Sequence, residues 1–218
     1  ADPRVIDAMI LYFLKEYGNP SSIHTKGQNA QEFIDNARAT IAKQINADKD
    51  EIIFTSGGTE SDNLAIRGIC YQKGKGHIIT TKIEHPAVLN TCKRLEKKGF
   101  SVSYLNVNKE GLVNIEELKK TIQEDTILVS VIHVNNEIGV IQNLEEIGKI
   151  TKEKRIIFHS DTVQSFTKVP IDVKKMNLDL ASFASHKIHG PKGIGALYVK
   201  KGLKLKKLLY GGHQEKDL

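Results

Sequence analysis

Residues 179–199, Asp179-Leu-Ala-Ser-Phe-Ala-Ser-His186-Lys187-Ile-His-Gly190-Pro191-Lys-Gly193-Ile-Gly195-Ala-Leu-Tyr-Val199, decide the fold. Residues 180–184 are an uninterrupted run of apolar and small side chains, and so are 194–199, apart from Gly195. Each run has the length and content of a buried strand. Between them stand Ser185, His186 and Lys187, then the turn formers Gly190, Pro191 and Gly193. A lysine at the point where a buried strand gives way to a turn has two readings. One is a solvated loop charge. The other is an amine in a low dielectric, which favours the neutral, nucleophilic form.

A second stretch, residues 155–164 (Arg-Ile-Ile-Phe-His-Ser-Asp161-Thr-Val-Gln164), is a short apolar strand ending in an acid. Pyridoxal phosphate (PLP) chemistry needs a lysine for a Schiff base and an acid that keeps the pyridine nitrogen protonated. Open α/β sheets bind their ligands at the carboxyl ends of strands, where Asp161 and Lys187 are expected to meet.

The rest of the chain alternates strand and helix without an internal repeat, which predicts an α/β fold with a mainly parallel sheet. A first helix is entered at Pro3, with Val5, Met9 and Tyr12 or Phe13 on one face. Apolar positions 30, 33, 34, 37, 41 and 45 predict an amphipathic helix over residues 30–45. A strand over 51–55 leads into Thr55-Ser-Gly57-Gly58-Thr59-Glu-Ser61, read as a small-residue turn before a helix over 62–72. Backbone N–H groups at a helix start, with glycines and hydroxyls around them, make an anion site. A well-capped helix is the alternative reading.

A strand over 77–81 precedes His85 at a cap and Pro86 in the first turn of a helix reaching about residue 97. That histidine is either a simple cap or a ring-stacking, proton-moving group. Further strands are expected over 101–107 and 127–134, with a helix over 115–122. The second of these strands ends in Asn135-Asn136, paired amides suited to a ligand's ring oxygen. Asn143 is a plausible N-cap for a helix to about 154. Five polar clusters (57–61, 85, 135–136, 161–164, 185–187) thus fall just after strands, which points to one site.

Composition bounds the class. The chain has 218 residues, 39% hydrophobic and 27% charged, with a formal net charge of +6. No apolar run approaches the roughly 20 residues of a membrane span. No secretory signal opens the sequence. Two cysteines make no disulfide framework and suit a reducing compartment, the cytoplasm by default. The lysines of residues 200–207 lack interleaved aromatics, so a solvated face is favoured over nucleic-acid or acidic-partner binding. Cys92 falls on one helical face with Val88 and Leu95, and Cys70 lies near Ile66 and Ile69. Both read as small core residues.

Taken together, Gly-Asn-Pro-Ser-Ser (18–22), Thr-Ser-Gly-Gly-Thr-Glu-Ser-Asp-Asn (55–63), Glu-His-Pro-Ala-Val (84–88), His-Val-Asn-Asn-Glu-Ile-Gly (133–139), residues 161–164 and residues 185–199 resemble the NifS/IscS-type cysteine desulfurases. These are fold-type-I PLP enzymes of aminotransferase class V. The resemblance implies a three-layer sandwich in which residues 1–20 lead into a PLP-binding large domain over 21–218. It also implies that Lys187 carries the cofactor and shuttles substrate protons, and that Asp161 pairs with the ring nitrogen. Gln164 and Asn136 are implied to bond the ring oxygen, while His85 stacks on the ring and acts in proton transfer. Gly58, Thr59 and His186 fall to the cofactor phosphate, and Ser185 is counted among the cofactor-binding residues. No metal is implied.

The implied reaction takes sulfur from L-cysteine as an enzyme persulfide and releases L-alanine, for Fe–S cluster assembly or another sulfur-transfer pathway. A homodimer and a sulfur-acceptor or scaffold protein are the implied partners, without nucleic acid or membrane. Three departures from the family pattern stand out. Ala184 replaces a usual serine. The family's Asp-Asn-Ala-Ala-Thr-Thr segment lies before residue 1. Its Arg-Ser-Gly-Thr stretch and thiol-bearing small domain lie beyond residue 218, so residues 1–218 alone are expected to be inactive. Another class-V enzyme (a selenocysteine lyase or an aminotransferase) and a catalytically silent scaffold are the rival expectations.

Overall fold

The computed structural model describes residues 1–212 and 214–218; nothing is described for His213, nor for the side chains of Lys216 and Asp217. Its centre is a seven-stranded sheet in the order β1-β7-β6-β5-β4-β2-β3. The strands are β1 (Ile52–Thr55), β2 (His77–Thr81), β3 (Ser101–Leu105), β4 (Thr126–Ser130), β5 (Ile157–Asp161), β6 (Leu180–Ala184) and β7 (Gly195–Val199). All pairings are parallel except those of β7, which runs antiparallel to both β6 and β1. The mainly parallel α/β sheet expected from the alternation is therefore present. The carboxyl ends of β1, β2, β4, β5 and β6 share one edge, and β7 begins there.

Side-chain alternation along each strand sends neighbours to opposite faces. Ile52, Ile79, Val129, Phe158 and Ala181 enter one core, with Ala42, Leu118, Leu144 and Ile147 from the helices over it. Ile53, Ile78, Leu128 and Leu180 enter the other, with Leu64, Ile69, Val88 and Leu95. The helices are α1 (Pro3–Leu14), α2 (Thr25–Gln44), α3 (Gly58–Lys73), α4 (Pro86–Glu96), α5 (Ile115–Thr121) and α6 (Leu144–Glu153). Helices α2, α5 and α6 lie on the first face and α3 and α4 on the second, which gives three layers.

Local chemistry explains most element ends. Pro86 opens α4, and the His85 ring nitrogen Nδ1 accepts the Ala87 N–H at 3.1 Å. Val88, Cys92 and Leu95 then fall on one buried stripe at i, i+4 and i+7. The Asn114 and Asn143 side chains cap α5 and α6. The expected strand over 127–134 is regular only to Ser130. Beyond it, the N–H groups of Val131 and His133 still reach the β5 carbonyls of His159 and Asp161, so the chain stays extended to the sheet edge.

Three expectations need correction. Helix α2 starts five residues early, because the His24 ring accepts the Gly27 N–H and caps it. On its inner face Arg38, not Ala37, is buried, its guanidinium donating to the Ile52 carbonyl at 2.7 Å and stacking over Phe54. Helix α3 begins at Gly58, so much of the supposed turn 55–61 is its first turn. Helix α1 has its expected span, but no residue in it is buried, and Ile6, Ile10, Phe13 and Leu14 are exposed. Along residues 200–207, Leu203 and Leu205 pack on the second core while Lys200 pairs with Asp179.

Candidate active site

The connections after β1, β2, β4, β5 and β6 enclose one cleft of about 570 Å³ at the common strand edge. Gly58, Thr59, His85, Asn136, Asp161, Gln164, His186 and Lys187 all line it. Asp161 ends β5 and Lys187 ends the 3-10 turn that follows β6. Parallel pairing of these neighbouring strands, Asp161 opposite Ser182, brings the acid and the amine to the same wall. Lys187 is half-buried rather than sealed in the protein.

Ser185 is placed differently from its neighbours. It does not line the cleft. Its hydroxyl occupies the space where a side chain on Gly190 would project, with Oγ 1.8 Å from a Cβ built there, inside the 185–190 turn. The paired amides also separate. Asn135 is buried, donating to the Ile83 carbonyl at 2.7 Å and accepting the N–H groups of Glu137 and Ile138. Only Asn136 is left at the cleft, its amide on Glu137.

The floor of the cleft is acidic. Asp161 is 4% exposed, and its Oδ1 accepts the Val163 N–H at 2.9 Å. Burial raises its carboxyl above the ordinary value, opposed by the Val163 bond and by the nearby His85 ring. Since His85 Nδ1 already accepts a backbone N–H, a neutral ring carries its proton on Nε2, free to donate. Two further carboxyls lie beside Asp161: Asp62 from α3, and Glu84 from the turn before α4. Sequence reading placed neither in the site. Asp62 follows Gly58 by one helical turn, so their shared face was a usable signal. Glu84 precedes His85 directly, and only the packing shows it turning inward.

The start of α3 at the cleft suits an anion. Gly57, at φ 154°, occupies a backbone region almost reserved for glycine, and no side chain caps α3. The first N–H groups of a helix without such a cap are donors seeking a partner. The space above Gly57 is empty, and Lys187, Lys192 and His186 line the same cleft. The His186 ring is lowered from its usual range by partial burial and by the Lys187 and Lys192 charges. Ala184 offers no hydroxyl there.

An anionic group at α3, a ring against His85 and a basic nitrogen over Asp161 therefore fit this cleft, as PLP would. Gly58, Thr59, Asn136, Gln164 and His186 line the same cleft. The two cysteines, both free, lie in the second core and not in the cleft.

The family model described as aminotransferase class-V matches residues 1–218. The cysteine desulfurase IscS of Clostridium botulinum (strain Hall) is 52% identical over 216 residues, covering 98% of this chain and 54% of that protein. The mitochondrial cysteine desulfurase of Candida maltosa is 52% identical over 222 residues, covering all of this chain and 46% of its own length. The chain thus spans about half the length of these curated relatives. A solved structure described as SspA in complex with cysteine superposes with a TM-score of 0.97 at 43% identity, covering all of this chain and 64% of that one.

Proposed function

The chain belongs to the aminotransferase class-V family, and on that premise we propose that it is the PLP-binding domain of a cysteine desulfurase, which takes sulfur from L-cysteine and releases L-alanine. The observation that carries this reading is the meeting of Lys187, Asp161, His85 and the start of α3 in one cleft. Relatives of matching sequence are named cysteine desulfurases, and a structure of nearly the same shape holds cysteine.

PLP, when bound, supplies an electron sink that makes the substrate Cα–H acidic. The residues of this chain do the rest. Lys187 holds the cofactor through Nζ, and the same amine moves the proton at Cα. Asp161 keeps the ring nitrogen protonated. His85 covers the ring and, with Nε2 carrying a proton, can pass one to the substrate. Asn136 and Gln164 orient the ring oxygen, and Gly58, Thr59 and His186 hold the phosphate.

Neither cysteine of this chain serves as sulfur acceptor. Cys70 and Cys92 are fully buried, and burial pushes the Cys70 thiol up to about 12 and raises that of Cys92 further. A thiol rather than a thiolate is a poor nucleophile. We therefore assign the accepting thiol to a part of the full-length protein outside residues 1–218, with residues 21–218 forming the large domain. A homodimer, an acceptor protein for the sulfur and a role in Fe–S cluster assembly complete the proposal. Among the described residues, no helix is long and apolar enough to cross a membrane. A reducing compartment, the cytoplasm, is proposed on the two unpaired cysteines.

The test is alanine release from L-cysteine by the full-length protein, with persulfide measured alongside. The parent should yield both, and Lys187→Ala neither. Transfer of an amino group to a 2-oxo acid without persulfide would replace the desulfurase reading by an aminotransferase one. An absence of any turnover by PLP-loaded protein would favour a silent scaffold.

A further inference from the structure

Asp62, from α3, lines the cleft beside Asp161. It is 1% exposed, and its Oδ1 has no hydrogen-bond partner. One carboxylate oxygen of Asp62, one of Asp161 and one ring nitrogen of His85 all lie within 4.8 Å of one another. Among the described residues, no lysine or arginine forms an ion pair with either acid. The nearest cation former is His159, whose Nε2 lies 3.6 Å from Asp62 Oδ1. Its ring nitrogens sit 2.8 Å and 3.0 Å from the hydroxyls of Ser130 and Ser182. Complete burial lowers that ring to about 3, so it is neutral. The 3.6 Å contact is therefore no salt bridge.

Two carboxylates this close, in a medium that screens weakly, cannot both stay ionised without a counter-charge. With the His85 ring neutral, one proton remains on the pair. The surroundings decide where. Asp161 accepts the Val163 N–H, and the His85 ring favours its charged form. Asp62 has only the Ser182 hydroxyl to favour its charged form. Against that stand its full burial, Asp161 and, more weakly, Glu84. We infer that Asp62 and Asp161 form an acid–carboxylate pair bearing a single negative charge, with Asp62 keeping the proton and Asp161 facing the cleft as the anion. Asp62 is then a positioning residue.

The pairing stands on the geometry alone. Its meaning for catalysis rests on the function proposed above. A floor with one negative charge matches one protonated ring nitrogen and leaves nothing to attract a second proton. The neutral acid also adds no second negative charge beside Asp161, so Asp161 stays the one anion of the pair.

Carbon-detected NMR on protein labelled at the aspartate carboxyl carbon, without cofactor, tests the pair. Asp62→Asn and Asp161→Asn assign the two signals. At pH 7 the Asp62 carbon should resonate as a carboxylic acid and that of Asp161 as a carboxylate. Asp161→Asn should lower the Asp62 midpoint, because the neighbouring anion is gone. Asp62→Asn should leave the Asp161 midpoint in place, since one neutral group replaces another. An ionised Asp62 at pH 7, or an Asp62 midpoint indifferent to Asp161→Asn, overturns the inference. If Asp62→Asn does not fold, the parent and Asp161→Asn still decide it. In PLP-loaded protein, Asp62→Asn should not move the pH midpoint of the visible band; a shift would mean that a charge had been removed. Failure to bind PLP at all would count against the proposed function and leave the carboxyl titration standing.

Discussion

Glu84 Oε1 accepts the Ile132 N–H at 2.9 Å, a bond that ties the end of β2 to the segment leaving β4. The Thr81 hydroxyl donates to the same oxygen at 2.7 Å, while Oε2 has no partner. Glu84 thereby fixes the turn that presents His85. Burial, opposed by those two bonds and reinforced by Asp161, raises its carboxyl to about 8. A raised carboxyl binds its proton more tightly in the folded state, so folding loses stability as pH climbs from the ordinary 4.5 toward 8. Each unit is worth about 1.4 kcal/mol.

Urea unfolding at pH 6 and pH 9 should therefore show the parent losing stability relative to Glu84→Gln as pH rises. The amide keeps the acceptor for Ile132 and removes the ionisation. Glu84→Ala should cost roughly 2–4 kcal/mol at pH 6, through a buried cavity and an orphaned N–H. A pH-independent difference between parent and Glu84→Gln would show that Glu84 does not titrate in this window.

Two lysines line the cleft, Lys187 and Lys192, and only one is proposed to hold the cofactor. Borohydride reduction of the PLP-loaded protein should place the pyridoxyl group on Lys187, read by peptide mass. Lys192→Ala should leave that label where it is, and Lys187→Ala should remove it. Label on Lys192 in the parent would move the chemistry to the far side of the 185–190 turn.

Cys70 and Cys92 should resist alkylation in the native protein and react after unfolding, because both are fully buried with raised thiols. Replacing both by alanine should lower stability by about 1–3 kcal/mol through lost packing. Persulfide formation by the full-length protein should persist. Iodoacetamide labelling at pH 8, with and without urea, reads the first point, and loss of persulfide in the double variant with PLP still bound would refute the second.

The elements carried by strong periodicity or punctuation were legible in the sequence. Strands β6 and β7 stood out as apolar runs, and α4 was announced by Pro86 after His85. What escaped was set by partners distant in sequence or by unusual caps. The start of α3 was hidden because glycines read as loop, whereas Gly57 serves as an N-cap with no side chain. The start of α2 was hidden because histidine is an uncommon cap. Asn135 and Asn136 look alike in sequence, yet the Ile83 carbonyl claims one and leaves the other at the cleft. The cleft itself was legible because every polar cluster followed a strand. Its acidic underside was not, since Asp62 and Glu84 carry no local sign of burial.

Gly195 connects the sheet to the proposed anion site, and its replacement is the sharpest structural test of that site. It pairs with Thr55 of β1 on one side and Ala184 of β6 on the other. A Cβ there would lie 2.6 Å from the Phe183 carbonyl oxygen and 2.7 Å from Gly57 Cα. Both obstacles are backbone, so no rotamer change relieves them. Gly195→Ala must displace either β6 or the Gly57 turn, at a cost of about 1–3 kcal/mol. The Gly57 turn is at the sheet edge and the easier to move. Moving it swings the first N–H groups of α3 away from the anion, and losing one charge-assisted bond costs about 1.5–3 kcal/mol, roughly ten- to a hundredfold in affinity. PLP titration followed by absorbance should show Gly195→Ala weakened by that factor, while pyridoxal, which lacks the phosphate, should bind parent and variant alike. Equal PLP affinity in parent and Gly195→Ala would remove the start of α3 from the cofactor site.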